Sequence, residues 1–240
     1  RAVTGGGDRD AMRAVLTDRA AAMERRWRLL IEEVRAIYDG PISLGANFDS
    51  YQYVGFWDAL DAVGVTSYFP LRRWKDEDPA SLRAGWRDVA DRLQIAATTD
   101  VGEVLPVYLL ELGYTRKAGC TVRPWSYSRV EVLETVGDVG PGEAPPHTCV
   151  HWASQPEDAG ERARAIEALA DVVQAGDFDA LRGFSLWKLT TRDYHRRDEQ
   201  FAILLPAEHR DNTPDPDDVA LLEHAARLGR LLRGGPLPAR

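Results

Sequence analysis

Residues 107–110 form a short, unbroken apolar run that ends on a carboxylate, Glu111. Because the run does not alternate with polar residues, it predicts a strand buried on both faces, as in a parallel sheet. Gly113 then allows the chain to turn away. In a barrel of alternating strands and helices, catalytic groups lie where strands end at the carboxyl face. Glu111 is therefore a candidate catalytic residue, although a glutamate there can also cap the next segment or pair with an arginine.

Short apolar runs alternate along the chain with segments whose apolar residues recur at three- and four-residue steps. The helical pattern covers residues 8–38, 51–62, 79–97, 157–174 and 217–232, and further candidate strands cover residues 42–48, 64–69 and 183–188. This alternation predicts an α/β fold with a parallel sheet and right-handed crossovers. The periodicity does not choose between an open doubly wound sheet and a closed barrel. The apolar run 201–205 has no assigned role.

The chain length and hydrophobic content favour a single domain over residues 1–240. With 240 residues, 44% of them hydrophobic, the chain can bury a substantial core. Residues 115–148 are rich in Gly, Pro and polar residues and predict a long loop insertion, which carries Trp125. Residues 1–7 and 234–240 predict a flexible lead-in and a loose tail.

Composition and motifs argue against several classes of function. The net charge is −8 without a basic stripe, so we expect no nucleic-acid partner. The histidines and the two cysteines lack metal-ligand spacing, and the chain has neither a dinucleotide fingerprint nor a P-loop, so we expect no metal and no cofactor. No run approaches the roughly 18 apolar residues of a membrane span.

Two questions stay open from the sequence. A disulfide between Cys120 and Cys149 is compatible with their positions, which flank the long loop. Because the chain starts at Arg1 without an initiator Met, we interpret it as a piece of a longer polypeptide, and its cellular compartment is open.

Polar and aromatic side chains end all four candidate strands: Asn47, Tyr68, Glu111 and Trp187. In a barrel these side chains would converge on one cleft. An amide and a phenol can bond to hydroxyl groups, an indole can stack on a pyranose ring, and a carboxylate can attack an anomeric carbon. The alternative is that the aromatic residues belong to the core and that Asn47 forms a turn. The joint placement at successive strand ends favours a sugar site.

Four segments resemble glycoside hydrolase family 113, a family of (β/α)8-barrel β-mannanases with a retaining mechanism. The segments are LGANFDSY (44–51), FWDALDAVGVTSYFPL (56–71), LELGY (110–114) and GFSLWK (183–188). The block at 56–71 is the most specific of them. Residues 27–40 are similar to the helix that precedes the first of these segments in the family.

The resemblance implies an incomplete barrel that holds strands five to eight. Glu111 would end the seventh strand as the nucleophile, with Asn47, Tyr68 and Trp187 ending the fifth, sixth and eighth. Tyr68 would donate a hydrogen bond to Glu111 and favour its ionised form. The implied substrate is a β-linked oligo- or polysaccharide, β-1,4-mannan. The candidate substrate-binding residues are Asn47, Tyr68 and Trp187 at the strand ends and Trp125 in the long loop. A second carboxyl group should lie about 5–5.5 Å from Glu111.

The sequence departs from the family where the acid/base residue is expected. In the family this is a Glu at the end of the fourth strand, just before the helix that here contains Trp27, and no such strand precedes that helix. Asp8, Asp10, Asp18 and Glu24 lie within or next to the helical pattern. We therefore expect the acid/base residue, with the remainder of the barrel, upstream of Arg1.

Two other hypotheses remain open. The first is a degenerate barrel domain that binds carbohydrate without cleaving it. The second is an unrelated α/β enzyme with a small-molecule substrate. Fold likeness alone does not decide among them.

Overall fold

The computed structural model describes residues 9–73, 78–126, 128–135, 148–192, 199–205 and 215–234. Its helices are α1 (Arg9–Arg35), α2 (Pro79–Ala97), α3 (Ala159–Gln174) and α4 (Pro216–Arg233). Its strands are β1 (Ser43–Asn47), β2 (Ala62–Thr66), β3 (Val107–Leu112), β4 (Ser128–Thr135), β5 (Thr148–Ser154), β6 (Leu181–Leu186), β7 (Leu189–Thr190) and β8 (Ile203–Leu204). None of the helices in these ranges combines the length and apolar character that crossing a bilayer requires.

The central sheet is parallel throughout and has the strand order β1-β2-β3-β6. Its strands follow chain order from one edge to the other, as in a segment of a barrel, whereas a doubly wound sheet reverses its order. The predicted α/β fold with a parallel sheet is confirmed. Among the described residues, β1 and β6 each pair on one side only within this sheet.

The core lies between the sheet and the helices on one of its faces. In β3, Val107 and Leu109 are fully buried, whereas Tyr108 is 40% exposed. The prediction that this run is buried on both faces is therefore wrong, because the described helices cover only one face. Helix α2 packs through fully buried residues, and its Trp86 indole N–H donates to the carbonyl oxygen of Ala165 in α3 at 2.8 Å.

The predicted helix over residues 51–62 is wrong. The chain instead forms two short 3-10 turns, Tyr51–Tyr53 and Trp57–Ala59, separated by an extended residue, Val54. Arg28 of α1 fixes the segment by donating to the Gly55 carbonyl oxygen at 2.8 Å. This bond to a distant residue holds the backbone out of a continuous helix, while Tyr51, Phe56 and Trp57 are still buried.

The predicted loop over residues 115–148 is also wrong in part. Strands β4 and β5 form an antiparallel hairpin within and beyond it, while residues 136–147 lie outside the described residues. The alternation of charged and apolar residues over 129–132 is typical of a strand, but the surrounding Gly, Pro and polar residues obscured it.

Backbone hydrogen bonds hold the two ends of this segment together. The Ala118 N–H donates to the Pro156 carbonyl oxygen, and the Asp158 N–H donates to the Arg116 carbonyl oxygen, both at 2.9 Å. The segment therefore leaves the barrel-like body and returns to it at one point.

The remaining elements lie close to their predicted positions. The helices predicted at 8–38, 79–97, 157–174 and 217–232 are present as α1 to α4. The strand predicted at 183–188 is β6, which spans Leu181–Leu186, so Trp187 follows this strand and does not end it. The 201–205 run contributes β8, which pairs with β7. The lead-in 1–7 and the tail beyond residue 234 lie outside the described residues.

A buried ion cluster joins α3, α4 and the chain after β3. The Asp218 carboxylate, fully buried, accepts hydrogen bonds from Arg162, from Arg116 at 3.1 Å and from the Leu204 N–H at 2.9 Å. Asp215 accepts a further bond from Arg116 at 2.7 Å. A charge at this depth is tolerated because each buried partner carries the opposite sign.

Cys120 is buried as a free thiol. Burial raises its pKa well above the ordinary value, and the nearby Glu161 charge adds to the effect. Because its thiol is free, Cys120 forms no disulfide in this structure.

Candidate active site

Glu111 occupies an irregular position near the end of β3. Its φ of 48° makes it the one non-glycine residue with a positive φ among the described ranges. The pairing register between β3 and β6 also shifts between Leu109 and Leu112. A left-handed backbone costs a non-glycine residue roughly 1–2 kcal/mol, and such strain is concentrated at functional sites. The backbone at Glu111 therefore marks it as a functional candidate independently of its side chain.

Tyr68 lies two residues beyond the end of β2, so it does not end that strand as predicted, but its phenol contacts the Glu111 carboxylate. Its hydroxyl donates a hydrogen bond to Glu111 Oε2 at 2.9 Å, as predicted from the sequence. Burial raises the pKa of Tyr68 above its usual range, and the hydrogen bond to Glu111 and the charges of Glu111 and Glu199 raise it further. Tyr68 therefore remains a protonated donor at neutral pH.

Aromatic rings surround the Tyr68 phenol and extend to the surface. Phe201 and Phe48 approach its ring edge-on, with centroids 5.4 Å and 6.4 Å away. On its other side Phe48 stacks on Trp125, with centroids 5.1 Å apart and an interplanar angle of 22°. Trp125 is 49% exposed, so this row of rings connects Tyr68 to a half-exposed indole.

Trp187 lies just beyond β6, beside the end of β3. Its backbone N–H donates to the Leu112 carbonyl oxygen at 3.0 Å, and its peptide bond to Lys188 is cis. The side chain is 38% exposed. The Lys188 ammonium lies 5.8 Å from the Trp187 ring centroid.

Glu199, a second carboxylate near this group, was not predicted from the sequence. Its Oε2 lies 2.7 Å from Lys188 Nζ, and its Oε1 accepts from the Phe201 N–H at 3.1 Å. Burial pushes the pKa of Glu199 upward, but its bonds to Lys188 and to the Phe201 amide outweigh this and lower it. Glu199 is thus ionised at neutral pH and is poorly suited to donate a proton.

Asn47 lies at the end of β1 as predicted, but its side chain bonds locally. Its amide donates to Asp49 Oδ1 at 2.8 Å, and its oxygen accepts from Thr66 Oγ1 at 2.7 Å. Its carbonyl oxygen also accepts from the Ser50 N–H at 3.0 Å. These contacts agree with the turn-forming alternative, and no hydrogen bond joins the Asn47 and Glu111 side chains, both of which are described.

The structure thus brings together Glu111, Tyr68 and Phe201. Trp187 lies against Gly113 beside them, and Glu199 binds Lys188, the residue after Trp187. Trp125 joins them through Phe48. Across the described part of the chain, no group of three or more His, Cys, Asp or Glu residues is arranged to hold a metal ion. The fold and this site together define a parallel α/β protein of the barrel type, with a strand-end carboxylate among aromatic rings.

Comparison with known proteins gives the family. The model of Glycoside Hydrolase Family 113 matches residues 15–136, which is half of the chain, and the chain belongs to this family. The residues matched include Glu111, Tyr68 and Trp125. A comparison with curated protein sequences finds no match.

Solved structures of the same family are similar to the chain. Two are GH113 β-1,4-mannanases, each 19% identical to this chain, with TM-scores of 0.50 and 0.51 and coverage of 86% and 87% of the chain. A GH113 β-mannanase from Alicyclobacillus acidocaldarius is 24% identical, with a TM-score of 0.45 and coverage of 86% of this chain and 51% of its own. This chain spans 52% of the length of the first two, whose similarity shows the fold.

Proposed function

We propose that the protein carrying this chain is a retaining glycoside hydrolase that cleaves β-1,4-mannan, with Glu111 as its nucleophile. The observation that carries the proposal is the 2.9 Å hydrogen bond from Tyr68 to Glu111 Oε2 at the carboxyl end of a parallel sheet. Membership of Glycoside Hydrolase Family 113 supports the reaction class, and the mannanases of similar fold support the substrate.

In the first step Glu111 attacks the anomeric carbon of the bound sugar. The new carbon–oxygen ester bond forms as the glycosidic bond breaks, and an acid residue protonates the leaving oxygen. In the second step that residue takes a proton from water, the water oxygen attacks the anomeric carbon, and Glu111 leaves as a carboxylate. The anomeric configuration is retained because it inverts twice.

Tyr68 gives the two oxygens of Glu111 different roles. Its phenol occupies Oε2, which leaves Oε1 as the oxygen that attacks. A donor that stays protonated holds the carboxylate in one orientation through the cycle, and orientation of this kind is a large part of enzymatic rate enhancement.

The acid/base residue is proposed to lie on the rest of the barrel, outside this chain. The edges of β1 and β6, unpaired within the described part of the sheet, are suited to receive further strands. Glu199 is ionised by its partners, and Glu24 on α1 is bound to Arg28 at 3.1 Å. Strands five to eight of an eight-stranded barrel would then belong to this chain, and strands one to four would supply the second carboxyl group.

The half-exposed indoles of Trp125 and Trp187 are proposed to stack on sugar rings of the substrate. Trp125 reaches Tyr68 through Phe48, and Trp187 lies just beyond β6 against Gly113, two residues after Glu111. Asn47 is a weaker candidate for substrate contact, because its side chain already bonds to Asp49 and Thr66.

The test uses Glu111→Gln in the full-length protein. We expect mannan hydrolysis to fall to background while the thermal unfolding temperature stays unchanged, because the amide can still accept the Tyr68 hydrogen bond. Glu223→Gln, an exposed glutamate on α4, is the matched control and should retain full activity. Mass spectrometry with a 2-fluoro mannoside should find a covalent adduct on Glu111.

Two outcomes contradict the proposal. Undiminished hydrolysis by Glu111→Gln excludes Glu111 as the nucleophile. An inactive wild-type protein that binds mannooligosaccharides, with binding unchanged by Glu111→Gln and lost in Trp187→Ala, indicates the non-catalytic carbohydrate-binding alternative.

A further inference from the structure

We propose that Glu199 is a positioning residue for Glu111 and acts through Phe201 and Tyr68. This inference rests on the proposed function for its catalytic consequence, but the geometry that it describes stands independently. Glu199 comes after residues 193–198, which lie outside the described residues, and no sequence motif distinguishes it.

The Glu199 carboxylate joins two segments that border the site. One oxygen binds the Lys188 ammonium at 2.7 Å, just beyond Trp187, and the other accepts from the Phe201 N–H at 3.1 Å, just before β8. The Lys188 backbone adds two bonds to the same segment, to the Phe201 carbonyl oxygen at 3.3 Å and from the Ile203 N–H at 2.9 Å. The side chain thus ties the chain after β6 to the chain before β8.

Phe201 transmits this placement to the catalytic pair. Its ring meets the edge of the Tyr68 ring at 5.4 Å and an angle of 67°. It also packs beside the chain just after Glu111, since its Cδ1 is 3.3 Å from the position of a Cβ on Gly113. A shift of Phe201 would therefore change the packing of the phenol that holds Glu111 Oε2.

The charge of Glu199 acts on the same phenol. Its carboxylate raises the pKa of Tyr68, although burial and Glu111 contribute more. The charged groups that border Tyr68 in the described residues are Glu111 and Glu199, and Lys188 partly balances the second of these. Glu199 therefore supports Tyr68 as a donor both by packing and by charge.

The first test is a double-mutant cycle in the full-length protein. We expect Glu199→Ala to lower kcat on mannan about tenfold with KM nearly unchanged, because it displaces a group that orients the nucleophile. In a Tyr68→Phe background the same change should have little further effect. Glu199→Gln should lie between wild type and Glu199→Ala, since its carbonyl can still accept from the Phe201 N–H.

The matched control removes a half-exposed ion pair elsewhere. Asp177 binds Arg87 at 2.6 Å in the turn before β6, at the opposite end of that strand. Asp177→Ala should leave kcat unchanged in both backgrounds. If Glu199→Ala fails to fold, Lys188→Met provides a second variant. Lys188→Met should also lower kcat less in the Tyr68→Phe background than in the wild-type background.

The second test does not depend on hydrolysis. In protein labelled with ¹³Cζ-tyrosine, the Tyr68 signal is the one that disappears in Tyr68→Phe. We expect Glu199→Ala to shift this signal and Asp177→Ala to leave it in place. If the wild-type protein does not hydrolyse mannan but the signal shifts, the proposed function fails and the positioning role stands. Equal losses of kcat in both backgrounds together with an unmoved Tyr68 signal overturn the inference.

Discussion

Gly113 and Trp187 are in backbone contact beside the Glu111 carboxylate. A Cβ on Gly113 would lie 2.7 Å from the Trp187 carbonyl oxygen and 3.3 Å from Phe201 Cδ1. The first of these separations is too short for any side chain, and the obstructing atom belongs to the backbone. The absence of a side chain at this position therefore sets how closely the end of β3 approaches the chain after β6.

We predict that Gly113→Ala lowers kcat/KM by up to about 100-fold, as expected for a displacement near 1 Å at a reacting group. It should also lower the free energy of unfolding by about 1–3 kcal/mol through overpacking. Gly229→Ala on α4 is the control, because its Cβ would meet only the end of the Arg233 side chain at 3.6 Å. That variant should be up to about 1 kcal/mol more stable than wild type. Wild-type kinetics in Gly113→Ala would contradict the prediction.

Because of Tyr68, the free energy of unfolding should fall as the pH rises through the alkaline range. Its pKa in the folded state lies above the unfolded value of about 10, so the folded state holds the proton more tightly. The stabilisation is therefore fully present below about pH 10 and is lost as the pH rises above it. Urea unfolding from about pH 8 to about pH 11 should show the wild-type advantage over Tyr68→Phe shrinking with pH. Because Tyr114 also has a raised pKa, through burial, only this difference isolates Tyr68.

We predict that Asp218→Ala lowers the free energy of unfolding by about 3–5 kcal/mol, because it leaves the buried Arg162 without its carboxylate partner. Thermal or urea unfolding measures the effect. Asp177→Ala removes a half-exposed pair with Arg87 and should cost no more than about 1 kcal/mol. Equal losses of unfolding free energy in Asp218→Ala and Asp177→Ala would contradict the prediction, because they would show that burial does not increase the cost of breaking the ion pair.

Trp125→Ala should raise KM for long mannooligosaccharides about tenfold, since a lost apolar stacking face is worth roughly 1.5 kcal/mol. The value of kcat and hydrolysis of a short aryl mannoside should change little, because Trp125 reaches Tyr68 only through Phe48. Steady-state kinetics on mannooligosaccharides of increasing length and on the aryl mannoside measures both effects. An equal effect on the aryl mannoside would mean that Trp125 acts on the reaction centre itself.

The parts of the fold that hydrophobic periodicity governs were predictable. Helix α2 begins and ends where the pattern predicts, since Asp78 caps it and its Leu82, Trp86, Val89 and Leu93 face the core. Glu111 and Tyr68 were placed together because both were predicted at strand ends, and parallel strands present their carboxyl ends at one edge.

Two features that the sequence did not reveal depend on contacts between side chains and other parts of the chain. The segment from Tyr51 to Ala59 contains helical spacing, yet the Arg28 guanidinium and the Trp57 indole bond to backbone carbonyl groups within it. The role proposed for Glu199 depends on its contacts with Lys188 and Phe201, and no spacing in the sequence predicts either contact.

The joined base of the β4–β5 hairpin has a consequence for divergence among related sequences. Because residues 116–118 and 156–158 are fastened together, the intervening chain can lengthen or shorten at a loop-closure cost of only about 0.6 kcal/mol per doubling. Trp125 belongs to this exchangeable portion, whereas Glu111 lies in β3 and Tyr68 just beyond the end of β2. Selection can therefore remodel the surroundings of Trp125 while the Glu111–Tyr68 hydrogen bond stays in place.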